Sequence, residues 1–352
     1  MPGIQDIHRF AFIVGAPRCG TTSLANFLKN HPDVCFPVVK EPHYFAQNDL
    51  TGLTIPELVR EVEGRYLARF FPHCGKGDAI AVDGSVSYLY TPEQLEPVLK
   101  LWPDSRFVIT LRDPIEMLPS LHRRLVFLGD EPLRRFEDAW AAVGARAGGK
   151  RIPRSCVDPR WLRYDEAARY GTYVERLFAA VGRERCIVMV FDDLVADPAA
   201  QYRRIMDFLQ LPPLEGAVDF TPRRRSHDVR SAWLQRLLKR PPKSVRKYLA
   251  GPHYRSRERK LDGDLSDSAA VDAVFAFRKR LLAWNRIPAQ RRALPLWVQK
   301  EIRAQLTDEM KRLQQLIGRD LSHWLQLRPA EQRAPASSSL WLRRRPSFSA
   351  AE

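Results

Sequence analysis

The chain has 352 residues, 57 Lys and Arg against 41 Asp and Glu, and a net charge of +16. That length accommodates one large α/β domain with additions, or two domains, and a 45% hydrophobic share with 28% charged residues excludes a disordered or membrane-embedded chain. The positive surplus attracts polyanions without choosing among nucleic acid, acidic glycan, anionic lipid and a phosphorylated cofactor.

No apolar run approaches the roughly 18 residues of a membrane span. Residues 1–9 lack the basic-then-apolar order of a secretory leader, so a cytoplasmic location is expected. The five cysteines, Cys19, Cys35, Cys74, Cys156 and Cys186, are scattered, odd in number and without CxxC spacing. Neither a disulfide framework nor a zinc site is expected from them, and no metal is expected elsewhere.

Residues 10–24 read FAFIVGAPRCGTTSL. The apolar run at 10–14 predicts a buried strand, Gly15 and Pro17 a turn, and Gly20-Thr21-Thr22-Ser23 the start of a helix reaching about Lys29. Strand, loop and helix in that order make an anion cradle: small residues let successive backbone N–H groups face one anion, and the helix N-terminus adds partial positive charge. The Gly15-x4-Gly20 spacing is that of a nucleotide-binding P-loop, but Thr21 stands where that motif has its lysine, and the cation sits earlier, at Arg18. Losing the lysine that reaches the β- and γ-phosphates points away from nucleoside triphosphate chemistry. Pro17-Arg18-Cys19-Gly20-Thr21-Thr22 resembles the Pro-Lys/Arg-x-Gly-Thr-Thr run with which sulfotransferases bind the 5′-phosphosulfate of 3′-phosphoadenosine 5′-phosphosulfate (PAPS). The resemblance implies that Arg18, Cys19, Gly20, Thr21, Thr22 and Ser23 hold the 5′ end of that donor. Cys19 reads as a small loop residue rather than a reactive thiol, because no His stands beside it.

After a short apolar segment at 34–36, Lys40-Glu41-Pro42-His43-Tyr44-Phe45 places a base, an acid and an imidazole in one Pro-restrained turn. General-base chemistry needs a carboxylate or imidazole within reach of a hydroxyl proton, and an adjacent cation can balance charge on the reacting group. A solvated charged loop would have the same composition. The stretch resembles the Lys-Glu-x-His-Phe-Phe segment of carbohydrate sulfotransferases of the heparan-sulfate type, which implies Glu41 as general base, His43 as its helper and Lys40 as the neighbouring cation. The acid that often follows the two aromatics is absent; Ala46-Gln47 stands there.

Leu58, Val62, Tyr66, Leu67 and Phe70 predict a helix over 55–71, and 79–83 reads as a buried strand. Ligands gather at the carboxyl ends of parallel strands. Gly84-Ser85-Val86-Ser87-Tyr88, at such an end, keeps the Ser and Tyr of the family's Glu-Lys-Ser-x-x-Tyr segment and lacks its Lys. A helix over 92–101 leads to a third strand, 106–111, which runs into Arg112-Asp113-Pro114 and a helix from about 115 to 127. A cation at a strand end and a hydroxyl a turn or two onward can grip one phosphate from two sides. Leu111-Arg112-Asp113-Pro114 followed by Ser120 resembles the second sulfotransferase signature, which assigns Arg112 and Ser120 to the 3′-phosphate, the group that separates PAPS from ATP. An Arg–Asp pair capping a helix is the plainer alternative.

Residues 129–159 read as irregular, a substrate loop or lid. A helix is expected over 164–181, a fourth buried strand over 186–191, and helical structure from Asp192 through 209. The stretch 223–260 is rich in Lys and Arg, nearly free of acids, and interleaved with Trp233, Tyr248 and Tyr254. A nucleic-acid patch or membrane-surface face has that composition, and the family closes a similar basic loop over the 3′-phosphate, for which Arg223, Arg224, Arg225 and Arg230 are the candidates. Helices follow over 245–249, 269–284 and 295–317. Gly318-Arg319-Asp320-Leu321-Ser322-x-Trp324 resembles the closing phrase of bacterial sulfotransferases, with Trp324 locking the last helix to the core. A tail from 329, rich in Ala, Pro, Ser and Arg, is expected to be disordered.

The expected whole is α/β: a P-loop-type central parallel sheet flanked by helices, with a helical C-terminal extension, one domain over 1–328. The resemblance, from about residue 10 to about 324, implies sulfuryl transfer from PAPS to a hydroxyl of a carbohydrate or glycolipid, with no metal and no nucleic-acid partner. Peripheral contact with a membrane surface is compatible with the charge. The competing classes are a P-loop kinase or hydrolase and a basic nucleic-acid- or membrane-binding protein.

Overall fold

β1 (Phe10–Gly15) is buried along its whole length and forms the centre of a sheet. The computed structural model describes residues 3–75, 77, 79–212, 214, 220, 227–240, 269–289 and 293–327. Five parallel strands stand in the order β2 (Val34–Cys35), β3 (Ile80–Asp83), β1, β4 (Arg106–Leu111), β5 (Cys186–Val190). Parallel neighbours need crossovers that cover both faces, so such strands read as unbroken apolar runs. Phe10, Phe12 and Val14 point to one core cluster with Tyr66, Tyr88 and Phe107, while Ala11 and Ile13 point to the other with Leu24, Leu28 and Val108.

The crossovers are helical. They are α1 (Thr21–Lys29), α2 (Tyr44–Gln47), α3 (Ile55–Glu61), α4 (Glu96–Leu101), α5 (Pro114–Leu128), α6 (Phe136–Ala141), α7 (Val143–Ala147), α8 (Tyr164–Ala167) and α9 (Tyr170–Val181). A Thr54–Glu57 capping box starts α3, as that pattern should, and the helix continues through a wider π-helical stretch, Val62–Leu67, and a last turn, Ala68–Phe70. Asp113 caps α5 by accepting from Ile115 N–H at 2.9 Å, and Pro114 follows in the first turn. After β5 come α10 (Phe191–Ala196), α11 (Pro198–Leu209), β6 (His227–Val229), α12 (Ala232–Lys239), α13 (Ala269–Trp284), β7 (Arg286–Pro288) and α14 (Leu296–Ile317). Trp324 is buried beside Tyr170, and Arg303 Nε donates to its carbonyl at 3.0 Å, which ties α14 to the core.

Two expectations are corrected. Residues 129–159 are not a structureless loop: they hold α6 and α7, pinned by a fully buried pair in which Arg146 donates to both Glu131 carboxylate oxygens at 2.8 and 2.9 Å, with Tyr164 donating to the same carboxylate. Cys35 and Cys74 form a disulfide, their Cα atoms 5.8 Å apart. Packing of the 55–70 helical segment beside the sheet edge, where Val38 N–H donates to Phe70 O at 2.9 Å, brings them together. That disulfide uses both sulfurs of Cys35, His73 and Cys74, the one group of three metal-type donors among the described residues. β6 and β7, too short for periodicity to reveal, pair antiparallel with Val229 opposite Arg286. The helix expected over 245–249, the tail from 329 and Arg223, Arg224 and Arg225 lie outside the described residues. No helix among those described is long and apolar enough to cross a membrane.

The α9–α14 contact tolerates no side chain at Gly171, where a Cβ would stand 2.5 Å from the Glu309 carbonyl oxygen. Thr172 fixes that approach by donating from its N–H and hydroxyl to the Glu309 carboxylate at 2.8 and 2.7 Å. Gly171→Ala should therefore cost about 1–3 kcal/mol through overpacking, read as a lower urea midpoint at unchanged slope. An unchanged midpoint would contradict this account of the contact.

Candidate active site

The carboxyl ends of β1, β3 and β4 open on a cleft of about 330 Å³, the place where open parallel sheets bind ligands. Pro17, Arg18 and Gly20–Ser23 line one side, Glu41, His43 and Val86 another, and Arg112, Ser120, Arg124, Trp161 and Phe191 complete it. The anion loop, the carboxylate–imidazole turn and the Arg–Ser pair thus meet in one space.

Gly20 starts α1 at φ +94, where no side chain caps the helix. A Cβ there would meet Leu194 at 2.9 Å and Phe191 at 3.0 Å, so the position needs glycine for its conformation and for its neighbours. Arg18 (φ +67) and His43 (φ +55) are two of the four non-glycine residues with positive φ among those described. Such backbone costs of order 1 kcal/mol and concentrates at functional positions; here both residues face the cleft. Arg18 Nε donates to Ser120 Oγ at 3.0 Å, joining two signatures 102 residues apart. Arg112 donates to the Glu116 carboxylate at 2.5 and 3.1 Å and lies 4.4 Å over the Phe191 ring.

Cys19 is the exception within the loop. Its thiol faces inward, 3.7 Å from Tyr170 Oη and bonded to Pro17 O, and does not line the cleft. Burial pushes its pKa up to about 12 despite the Tyr170 hydrogen bond and the charges of Arg112 and Arg18.

The second side is organised from beneath. Asp83, fully buried at the end of β3, accepts from Tyr66 Oη at 2.8 Å, Tyr88 Oη at 3.0 Å, Ser85 N–H at 2.9 Å and Ser85 Oγ at 2.5 Å. Burial raises the pKa of this carboxyl against those four donors. Ser85 Oγ in turn accepts from His43 N–H at 2.8 Å, and Ser87 Oγ shares a 2.7 Å hydrogen bond with His43 Nδ1. The ring so held sets Nε2 3.6 Å from Glu41 Oε2. Lys40 Nζ lies 2.5 Å from Glu41 Oε1. Burial alone would raise the Glu41 pKa; the His43 hydrogen bond and the Lys40 charge prevail and hold it at about 2. Aligned on Ser85 and Tyr88, Gly84 takes the place of the missing lysine, and a Cβ there would lie 3.7 Å from Lys40 Cγ and Cε. The space over Gly84 is filled by Lys40.

Lys40 and Arg230 do not line the cleft. Arg230 donates from Nε to Trp284 O at 3.0 Å and packs over that indole. Sequence reasoning missed Arg124, Trp161 and Phe191 as lining residues and Ser87 as the holder of His43. Arg124 lies one helical turn past Ser120, a spacing that could have flagged it; Trp161 and Phe191 carry no local signal.

With its thiol buried and its pKa near 12, Cys19 should resist alkylation at pH 8. Native protein should label at Cys19 at least about 100-fold more slowly than protein unfolded in urea, where the thiol returns to its ordinary range. Fast native labelling at Cys19, read by peptide mapping, would contradict the inward placement.

A family model described as "Sulfotransferase family" matches residues 11–215. The chain is 28% identical over 205 residues to heparan sulfate glucosamine 3-O-sulfotransferase 3B1 of Mus musculus, covering 57% of this chain and 46% of that protein. It is 27% identical over 215 residues to heparan sulfate glucosamine 3-O-sulfotransferase 6 of Homo sapiens, with 57% and 52% covered. The chain spans about half the length of the curated relatives it matches. A solved sulfotransferase from Alicyclobacillus acidocaldarius aligns over 90% of this chain and 98% of its own, at a TM-score of 0.55 and 24% identity, a likeness of fold. The family match takes in more than half of the chain, with the anion loop, Glu41, His43, Arg112 and Ser120 all inside it, and the protein belongs to the sulfotransferase family.

Proposed function

We propose that the protein transfers a sulfuryl group from PAPS to a hydroxyl of a carbohydrate or glycolipid. The observation that carries this reading is that the Glu41–His43 pair and the Arg18–Ser120–Arg112 group share one cleft. The residues suit a donor with phosphate at both ends: an uncapped helix start and Arg18 at one, Arg112 and Ser120 at the other. PAPS supplies a sulfuryl group on an oxygen bridge to phosphate.

Backbone N–H groups at 20–22 receive the 5′-phosphate, and Arg18 turns from Ser120 to the bridging oxygen, where negative charge grows as the S–O bond breaks. Ser120, released from Arg18, joins Arg112 on the 3′-phosphate, with Phe191 backing the guanidinium. The acceptor oxygen bonds to sulfur on the opposite side while its proton passes to Glu41. Ser85 and Ser87 hold His43 so that its Nε2 keeps the Glu41 carboxylate aimed. A carboxylate held near 2 is ionised at neutral pH but a weak base. Lys40, turning from Glu41 to the sulfuryl oxygens, both screens the transferring group and restores basicity to Glu41.

Glu41→Gln should lower kcat by about 10²–10⁴-fold in a transfer assay with labelled PAPS and leave affinity for 3′-phosphoadenosine 5′-phosphate unchanged. Retained turnover would remove Glu41 as the base. In the free enzyme the acid limb of kcat/KM should lie far below the ordinary Glu value of about 4.3, because the folded pKa is depressed to about 2. Lys40→Met removes one of the interactions that depress it, so the limb should move to higher pH; a limb that stays in place would contradict the coupling.

A further inference from the structure

Among the described residues the three most exposed aromatics stand on two helices that are tied together. Trp233 of α12 is 72% exposed, and Phe277 and Trp284 of α13 are 63% and 60% exposed. Phe277 and Trp284 lie seven residues apart, two turns along one helix face. Trp233 stands near the start of α12, which is tied to the end of α13: Ser231 N–H donates to Asn285 Oδ1 at 2.8 Å and Arg230 N–H to Asn285 O at 2.9 Å. None of the three lines the cleft. Single exposed aromatics are ordinary; three on one corner are not.

Cations surround them. Lys279, Arg280 and Arg286 are exposed. Arg286 of β7 and Lys239 of α12 crowd the Phe127 ring of α5, at 5.3 and 5.5 Å from its centroid. Burial and the like charges of Arg278, Arg124, Arg286 and Arg240 pull the Lys239 pKa below its ordinary value. Asp130 is taken by Arg240, at 2.9 and 3.1 Å. Among the described residues no carboxylate lies within ion-pair distance of Lys239, Lys279, Arg280 or Arg286. The carboxyl end of α5 offers about half a negative charge, enough to settle one of these cations and not the set.

We propose that the corner formed by α12, α13 and β7 docks on an anionic lipid surface. Trp and Phe beside Lys and Arg that have no carboxylate partner among the described residues match the headgroup boundary, where rings leave water and cations meet acidic lipid. A bilayer is favoured over a polyanionic chain because the aromatics point outward from two helices and do not line the cleft. Arg286 and Lys239 reach α5, whose Leu125 and Leu128 line the cleft, so docking here would present its mouth to an acceptor carried in the membrane. The docking itself does not depend on the sulfotransfer reading.

The test is co-sedimentation of the whole protein with phosphatidylcholine vesicles, with and without phosphatidylserine. Binding should require phosphatidylserine and fall with added salt. Trp233→Ser/Trp284→Ser should weaken it by about tenfold or more, and Lys239→Gln/Arg286→Gln by about tenfold. Arg65→Gln/Lys311→Gln, the same charge removed from other faces, should leave it within about twofold. Equal loss in that control, equal binding to neutral vesicles, no effect of the Trp substitutions, or Trp-dependent capture of dextran sulfate without binding to vesicles would each overturn the proposal. Binding of 3′-phosphoadenosine 5′-phosphate, measured on the same variants, reports that they are folded. Its failure in the unmodified protein would sink the sulfotransfer reading and leave the vesicle result standing.

Discussion

Asp83 is the constraint on which the Glu41–His43 side of the cleft rests. A carboxylate buried at a strand end is costly to leave unsatisfied, and this one is satisfied by four donors from three residues on two segments. Tyr66 binds the helical segment 55–70 to the sheet, Tyr88 and Ser85 fold the loop after β3 over it, and Ser85 passes the restraint to the His43 backbone. The left-handed conformation of His43 persists because that network over-determines it. Glu41 then stands between Lys40 and His43, and the position of His43 is set from below.

The side formed by Arg18, Arg112 and Ser120 depends on a different principle. Its positive charges are held at the cleft by exchangeable side-chain contacts: Arg18 donates to the Ser120 hydroxyl, and Arg112 pairs with the partly exposed Glu116 over the Phe191 ring. Interactions of this kind are cheap to exchange, which suits the proposed binding of two phosphates. Rigidity is supplied instead by the backbone, through the left-handed Gly20 and Arg18 and the buried strand that delivers them. Cys19 is part of that scaffold: its side chain is turned inward, where Tyr170 and the core hold it.

Local features were legible and tertiary ones were not. β1 and β4 could be read to within a residue because strands covered on both faces are unbroken apolar runs. Residues 34–36, a short run at the sheet edge, shrank to the two-residue β2. The loop, turn and strand-end motifs were legible because each is contiguous. Their meeting, as in the Arg18–Ser120 bond, was implied only by family resemblance. The Cys35–Cys74 disulfide, the β6–β7 pairing and the Arg146–Glu131 pin of residues 129–159 join segments whose spacing has no periodic signature. The lining aromatics Trp161 and Phe191 belong to the same class, since nothing local distinguishes them from core residues.

The central claim is that Arg18, Arg112 and Ser120 form a two-ended clamp for a nucleotide phosphorylated at both 5′ and 3′ positions. The most direct measurement is equilibrium binding of 3′-phosphoadenosine 5′-phosphate, 5′-AMP and ATP to the unmodified protein and to Arg112→Gln. The account predicts at least about a tenfold preference, some 1.4 kcal/mol, for the 3′-phosphorylated nucleotide over 5′-AMP, largely lost in Arg112→Gln. Equal affinity for 5′-AMP, or tighter binding of ATP, would contradict it.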